Sequence, residues 1–195
     1  MPGCKGIRYR LTNSLLRVPV LNLKSNLQHI AMNNERKENL QKLIDLIKDI
    51  DFTMMTTVDD DGSLRSRPMS TQEIGEDGIM WFFTGYESGK THEIKNDSHV
   101  NLSYSKPSDN VYVSVSGRAT ISKDKAKIEE LWSPELKAWF PGGKDDPNIG
   151  LIRVDIDKAE YWDSPDSAVI HLIGFVKAAL SGESYDPGEN KKINL

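Results

Sequence analysis

Residues 52–90 read FTMMTTV DDDG SLRSRPMSTQ EIGEDG IMWFFT GYESGK, and this stretch decides the fold. Phe52, Thr53, Thr56, Thr57 and Val58 favour a strand, and Asp59-Asp60-Asp61-Gly62 is a tight-turn signature. Residues 63–72 then read as the returning strand of a hairpin. A second turn follows at Gly75-Glu76-Asp77-Gly78. Residues 79–84 are almost continuously apolar, as expected of a barrel stave packed on both faces.

The pattern continues outward in both directions. Residues 99–105 and 111–121 alternate, with Pro107-Ser108-Asp109-Asn110 as the turn between them. Residues 149–162 contain the last expected strand. Helices are expected over 35–50, where Leu40, Leu43, Ile44 and Ile47 recur at helical spacing, and over 88–96, 124–132 and 167–180. Five or six short antiparallel strands with few helices read as a small barrel. Strands do not alternate with long helices, so a doubly wound parallel sheet is not expected.

The chain has 195 residues, 37% of them hydrophobic and 28% charged, ordinary values for one globular domain. Of 25 basic residues, five lie in residues 1–34, where there is no acid, so the remainder carries −9. An acidic body argues against nucleic acid as a partner. No apolar run approaches the ~18 residues that cross a bilayer, so no membrane partner is expected. The single cysteine, Cys4, has no internal disulfide partner and fits a cytoplasmic location. Residues 1–31 read as a leader, disordered or non-native, with a targeting peptide as the competing reading. The folded domain is expected over 32–180, opening at Met32-Asn33-Asn34, followed by a polar, extended or mobile tail over 181–195.

Gly89-Lys90-Thr91 invites comparison with the phosphate loop G-x-x-x-x-G-K-[ST]. The first glycine would fall at Thr84, and no parallel α/β context follows, so that assignment fails. The segment Thr84 to Lys90 instead leaves a strand and opens a helix, with Ser88 at the N-cap. A helix start plus Lys90 makes a cradle for a single phosphate, and an ordinary capped helix with a solvent lysine is an equal alternative. Arg65 and Arg67 share one strand face, where they can grip an anion or simply form surface ion pairs. Spacing alone favours the ion pairs. Pro68 within this strand belongs at an edge or bulge. His29, His92, His99 and His171 lack metal-ligand spacing, and His92 beside Glu93 reads as a helix-surface pair. Trp81, Trp132 and Trp162 read as core, whereas Trp139 sits in a glycine-rich loop able to close over a ring.

Six short motifs in order carry a resemblance. They are Ser66-Arg67-Pro68-Met69-Ser70-Thr71; Trp81-Phe82-Phe83-Thr84 with Ser88 and Lys90; Val111-Tyr112-Val113-Ser114-Val115-Ser116-Gly117; Trp139-Phe140-Pro141-Gly142-Gly143; Ala159-Glu160-Tyr161-Trp162-Asp163; and Gly188-Glu189-Asn190. The chain resembles the pyridoxamine 5′-phosphate oxidase superfamily of FMN-binding split barrels, and within it the general stress protein branch. The resemblance implies a mainly β fold, a six-stranded antiparallel split β-barrel with flanking helices. It implies FMN as cofactor, with F420 or haem as alternatives met among related barrels. Arg67, Pro68, Met69 and Ser70 would lie along the flavin, Phe83 and Thr84 at its phosphate end, and Ser88, Gly89 and Lys90 on the phosphate. Tyr112 falls where many oxidases have a glutamine near the flavin. A homodimer with FMN between subunits is implied as well. The ending Asn190-Lys191-Lys192-Ile193-Asn194-Leu195 lacks the arginine-rich segment that grips pyridoxamine phosphate, which argues against that substrate. The expected activity is oxidoreduction of an unnamed small molecule, and a non-catalytic flavin- or haem-binding stress protein is the alternative. No residue is singled out as catalytic, since a bound flavin carries the redox chemistry.

Overall fold

The computed structural model describes residues 20–163 and 189–195. Residues 1–35 and 36–195 fall into two units. The first contributes the opening of helix α1, which runs Val20–Ile47. The helix start expected near Glu35 therefore lies some four turns too late. Pro19 immediately precedes the helix, and no glycine or proline interrupts residues 20–47, so nothing stops the helix at Met32.

The second unit holds the barrel. Its strands are β1 Phe52–Val58, β2 Leu64–Ile74, β3 Ile79–Gly85, β4 His99–Lys106, β5 Val111–Ser122, β6 Ile149–Asp163 and β7 Glu189–Asn194. They run in the order β3-β2-β1-β4-β5-β6-β7, and β3 also pairs with β6. That pairing closes a six-stranded antiparallel barrel. β6 serves two neighbours on one edge: its residues 149–155 pair with β3, and its residues 158–163 pair with β7. Part of the tail over 181–195 is thus strand in the sheet rather than free. Its backbone completes the β6 edge, and Ile193 is buried with the core. The helix expected over 167–180 lies outside the described residues.

Alternation fixes which residues fill the barrel. Thr53, Met55 and Thr57 point inward from β1, and Val111, Val113, Val115 and Ala119 from β5. Met55 and the β5 residues meet Phe82, Leu102, Val154 and Ile152 in one core, which Leu40, Leu43 and Ile47 of α1 join. The valines of β5 are therefore barrel interior. Tyr104 is buried there too; burial pushes its phenol well up, and its hydroxyl lies 2.7 Å from Thr71 Oγ1. Both early turns need a left-handed residue, and Gly62 and Gly78 supply it at φ +81°.

β3 is packed on both sides, as its apolar run predicts. Phe82 faces the barrel core, while Phe83 joins Ile128, Phe140, Ile149 and Leu151 in a second cluster. The Phe83 ring meets Trp132 edge-on at 6.2 Å and Phe140 at 6.1 Å. This cluster sits beneath α3, Lys125–Leu131, whose N-terminus is capped by Asp124 accepting from the Ala126 and Lys127 amides. It fixes the segment that carries Trp139.

Candidate functional site

β2 is paired with β1 along Leu64 to Ser70, but β3 reaches it only from Thr71 onward. The edge of β2 around Arg67 to Ser70 is consequently open. Pro68, opposite Met54, sits where a missing backbone donor is tolerated. A cleft of about 510 Å³ lies along this open edge. That volume is within the range of small-molecule sites, roughly 300–1,000 Å³.

Eight residues expected at a ligand line this cleft. Arg67, Pro68, Met69 and Ser70 come from β2, Phe83 and Thr84 from β3, Lys90 from helix α2 (Gly89–Asn96), and Trp139 from the loop after a short 3-10 turn. Met69 and Phe83 are largely buried, whereas Trp139 is 78% exposed. Phe52, Gln72, Glu135, Leu136 and Phe140 are among the other wall residues and lie outside the expected set. One end is thus apolar and aromatic, and the other cationic.

At the cationic end, Lys90 Nζ donates to Thr84 Oγ1 at 3.2 Å. Thr84 Oγ1 lies 3.4 Å from Ser88 Oγ. Ser88 holds the N-cap position of α2, but its hydroxyl does not cap the helix and stays with this cluster. Gly89 and Lys90 open α2, where first-turn amides have no carbonyl of their own helix to bond. Among the described residues no carboxylate forms a salt bridge with Lys90. Burial, and then the neighbouring Arg67 charge, depress its pKa, while Glu93 acts in the opposite sense. A half-buried ammonium held beside a guanidinium is stabilised by an anion.

Arg67 has a different neighbourhood. Its guanidinium bonds Glu93 Oε2 at 2.7 Å through NH2 and Thr57 Oγ1 through NH1. Arg65 NH1 approaches Glu93 Oε1 at 3.6 Å and Asp59 at 3.1 Å. The ion pairing favoured by strand spacing is present, yet its acid is buried rather than on a surface. Glu93 is 3% exposed, and its sequence neighbour His92 alone faces solvent, near Asp60 and Asn96. Neighbouring helix positions point in different directions, so His92 and Glu93 do not share a surface. Glu93 is buried with Thr91 and Ile94 on the side of α2 turned to the barrel.

Tyr112 does not line the cleft. It is 44% exposed on the outer face of β5, in register with Ser105 and Trp162. Trp162 likewise lies on that outer face, 39% exposed, and is not core. Among the described residues, no cluster of three or more His, Cys, Asp or Glu is placed to hold a metal, and no helix is long and apolar enough to cross a membrane.

A family model for pyridoxamine 5′-phosphate oxidase-like proteins matches residues 38–186. The chain belongs to the pyridoxamine 5′-phosphate oxidase-like family. Protein bli-3 of Neurospora crassa is 35% identical over 153 residues, 73% of each chain. The general stress FMN/FAD binding protein of Xanthomonas citri is 32% identical, with a TM-score of 0.58 over 67% of this chain and 92% of that one. A Clostridium acetobutylicum protein related to general stress protein 26 has a TM-score of 0.62 at 16% identity, over 82% and 96% of the two chains, and shares the fold. Family and general stress branch are those to which the sequence motifs pointed.

Proposed function

We propose that this pyridoxamine 5′-phosphate oxidase-like protein binds FMN in the cleft and acts as a flavin-dependent oxidoreductase on a small molecule. The observation that carries this reading is Lys90, a cation with no salt-bridge partner among the described residues, at one end of a cleft whose other walls include Met69, Phe83, Trp139 and Phe140. A terminal phosphomonoester carries about −1.5 to −2 at neutral pH. Lys90 and Arg67 supply two positive charges for it, with the Thr84 and Ser88 hydroxyls and the α2 amides as further donors. The open edge of β2 and the Phe83 and Trp139 rings form walls for a flat heterocycle. FMN/FAD binding by the Xanthomonas citri relative supports the choice of a flavin.

The donors fit the phosphate of FMN better than they fit haem. Haem needs an axial His, Cys, Met or Tyr. Of these the described cleft walls present only Met69, which is 7% exposed and packed in the core. Bound here, FMN supplies the electron transfer that the side chains themselves lack. The protein's part is to hold the phosphate, seat the ring against β2, and exclude water with Trp139 and Phe140. Absorption of the protein after FMN addition and desalting tests this: retained flavin bands support it, and loss of all flavin, or a Soret band after haem addition only, contradicts it.

The reading includes a homodimer. The outer face of the barrel exposes Phe52, Met54, Tyr112 and Trp162. Met54, Ser103, Ser114 and Glu160 lie in one cross-strand row, with Ser105, Tyr112 and Trp162 in the next. Phe52 also lines the cleft, so face and cleft are continuous. A second copy on this face would bring Tyr112 of one subunit toward the cleft of the other. An obligate interface buries about 2,000 Å² or more. Sedimentation velocity at micromolar concentration is expected to give a dimer; a monomer with full flavin content would remove the second subunit from the site.

A further inference from the structure

Glu93 is an acid buried next to the cradle proposed to take an anion, and the phosphate reading gives it no role. We propose that Glu93, with Thr57, is the positioning residue of the cradle: it holds the Arg67 guanidinium from behind so that its remaining N–H groups serve the cleft. The proposal rests on the FMN reading of the cleft and adds a residue that would not touch the cofactor.

The geometry is specific. Arg67 NH2 reaches Glu93 Oε2 at 2.7 Å, and NH1 reaches the Thr57 hydroxyl. That same hydroxyl donates to Glu93 Oε2. A hydroxyl has one donor and two acceptor sites, so one Thr57 can serve both partners. Thr57 is 1% and Glu93 3% exposed, so water does not compete with these bonds. Arg67 has five N–H donors. Two go to Glu93 and Thr57, which leaves three for the cleft that the side chain lines.

The placement on α2 divides two cations between two tasks. Lys90 and Glu93 are three residues apart, a spacing at which Lys and Glu commonly pair. Here they do not: Lys90 turns to Thr84, and Glu93 turns to Arg67. Were Glu93 to pair with Lys90, the cradle would lose its free charge and Arg67 would lose its brace. A guanidinium gives up considerable rotamer freedom when it grips an anion. Bracing it beforehand removes that loss from the binding step.

Two other effects of Glu93 predict different outcomes. If its charge merely opposes the phosphate, removing it strengthens FMN binding. If it only braces α2 against β1 and β2, removing it weakens all flavins alike. The full chain and its variants are titrated with FMN and with riboflavin, following flavin fluorescence, with melting temperature as a fold control. Glu93→Gln is expected to weaken FMN about tenfold and leave riboflavin unchanged. Thr57→Val, which removes the hydroxyl but keeps the shape, is expected to move in the same direction, and it carries the test if Glu93→Gln fails to fold. In an Arg67→Ala background, Glu93→Gln should add no further loss, because Glu93 acts through Arg67. Tighter FMN binding, equal losses for both flavins, or an undiminished loss in the Arg67→Ala background overturns the proposal. Wild-type protein that does not prefer FMN to riboflavin overturns the phosphate reading itself, whereas a wild-type preference that Glu93→Gln and Thr57→Val both leave intact overturns only the role of Glu93.

Discussion

Lys90→Ala is expected to weaken FMN binding by about 10- to 150-fold and to leave riboflavin binding unchanged. The range follows from a charge-assisted hydrogen bond, worth about 1.5–3 kcal/mol, at ~1.4 kcal/mol per decade. Riboflavin differs from FMN in lacking the phosphate that Lys90 is proposed to meet. The upper part of the range is favoured by the site. Lys90 is half-buried, and no acid among the described residues bridges it, so its charge is not already spent within the protein. Ser88→Ala should act in the same direction by less, about 2- to 12-fold, because only a neutral donor is lost. It should leave the helix intact, since the Ser88 hydroxyl makes no capping bond. Isothermal titration with both flavins separates these results from general damage. Equal loss for both flavins, or loss for neither, would make Lys90 an ordinary surface lysine.

The second large effect concerns the barrel. Gly117→Ala should lower stability by about 2–3 kcal/mol, a fall in Tm of roughly 4–12 °C at ~2–4 °C per kcal/mol. Gly117 sits at the register shift between Ser116 and Gly117, where β5 and β6 form a bulge. A Cβ there would lie 2.4 Å from the Asp155 carbonyl oxygen and 3.1 Å from Val154 Cγ1. The first of these is backbone in the longest strand, which cannot swing aside as a side-chain end can. The cleft is built from the start of β1, β2, β3, α2 and residues 133–140, so the preference for FMN over riboflavin should survive in the folded fraction. A thermal scan with a flavin titration on the same sample checks both halves. An unchanged Tm would mean that the bulge relaxes at no cost.

Much of this architecture could be read from residues 52–162, because each signal there is local. Aspartate- and glycine-rich turns delimit β1, β2 and β3, and alternation along β5 assigns its valines to one face. What failed was nonlocal or depended on a missing stop signal. Nothing in residues 20–47 marks where a helix should begin, and Met32 has no special standing within it. β7 carries too few apolar residues to look like a strand, and it is ordered by the free edge of β6 and by Ile193. Tyr112 alternates with the inward-facing valines of β5, which places it on the outer face of the barrel.

The site divides in the same way. Ser88, Thr84 and Lys90 are four and two residues apart across one strand-to-helix junction, so their meeting is almost forced by the chain. Arg67 and Pro68 were legible because a proline within a strand marks an open edge. Glu93 was not, since its partners, Thr57 and Arg67, lie 36 and 26 residues away and only barrel closure brings them together. A charged residue on the buried face of a short helix was the available signal. It becomes informative once the opposing strand is known to carry Arg65 and Arg67.

The most direct test of the central claim is titration of flavin-free wild-type protein with FMN and riboflavin in parallel at fixed salt. A phosphate held by Lys90, Arg67 and the start of α2 predicts FMN tighter by at least about tenfold, ~1.4 kcal/mol, with the gap narrowing as salt rises. Equal affinities for the two flavins, or binding of neither, would contradict it.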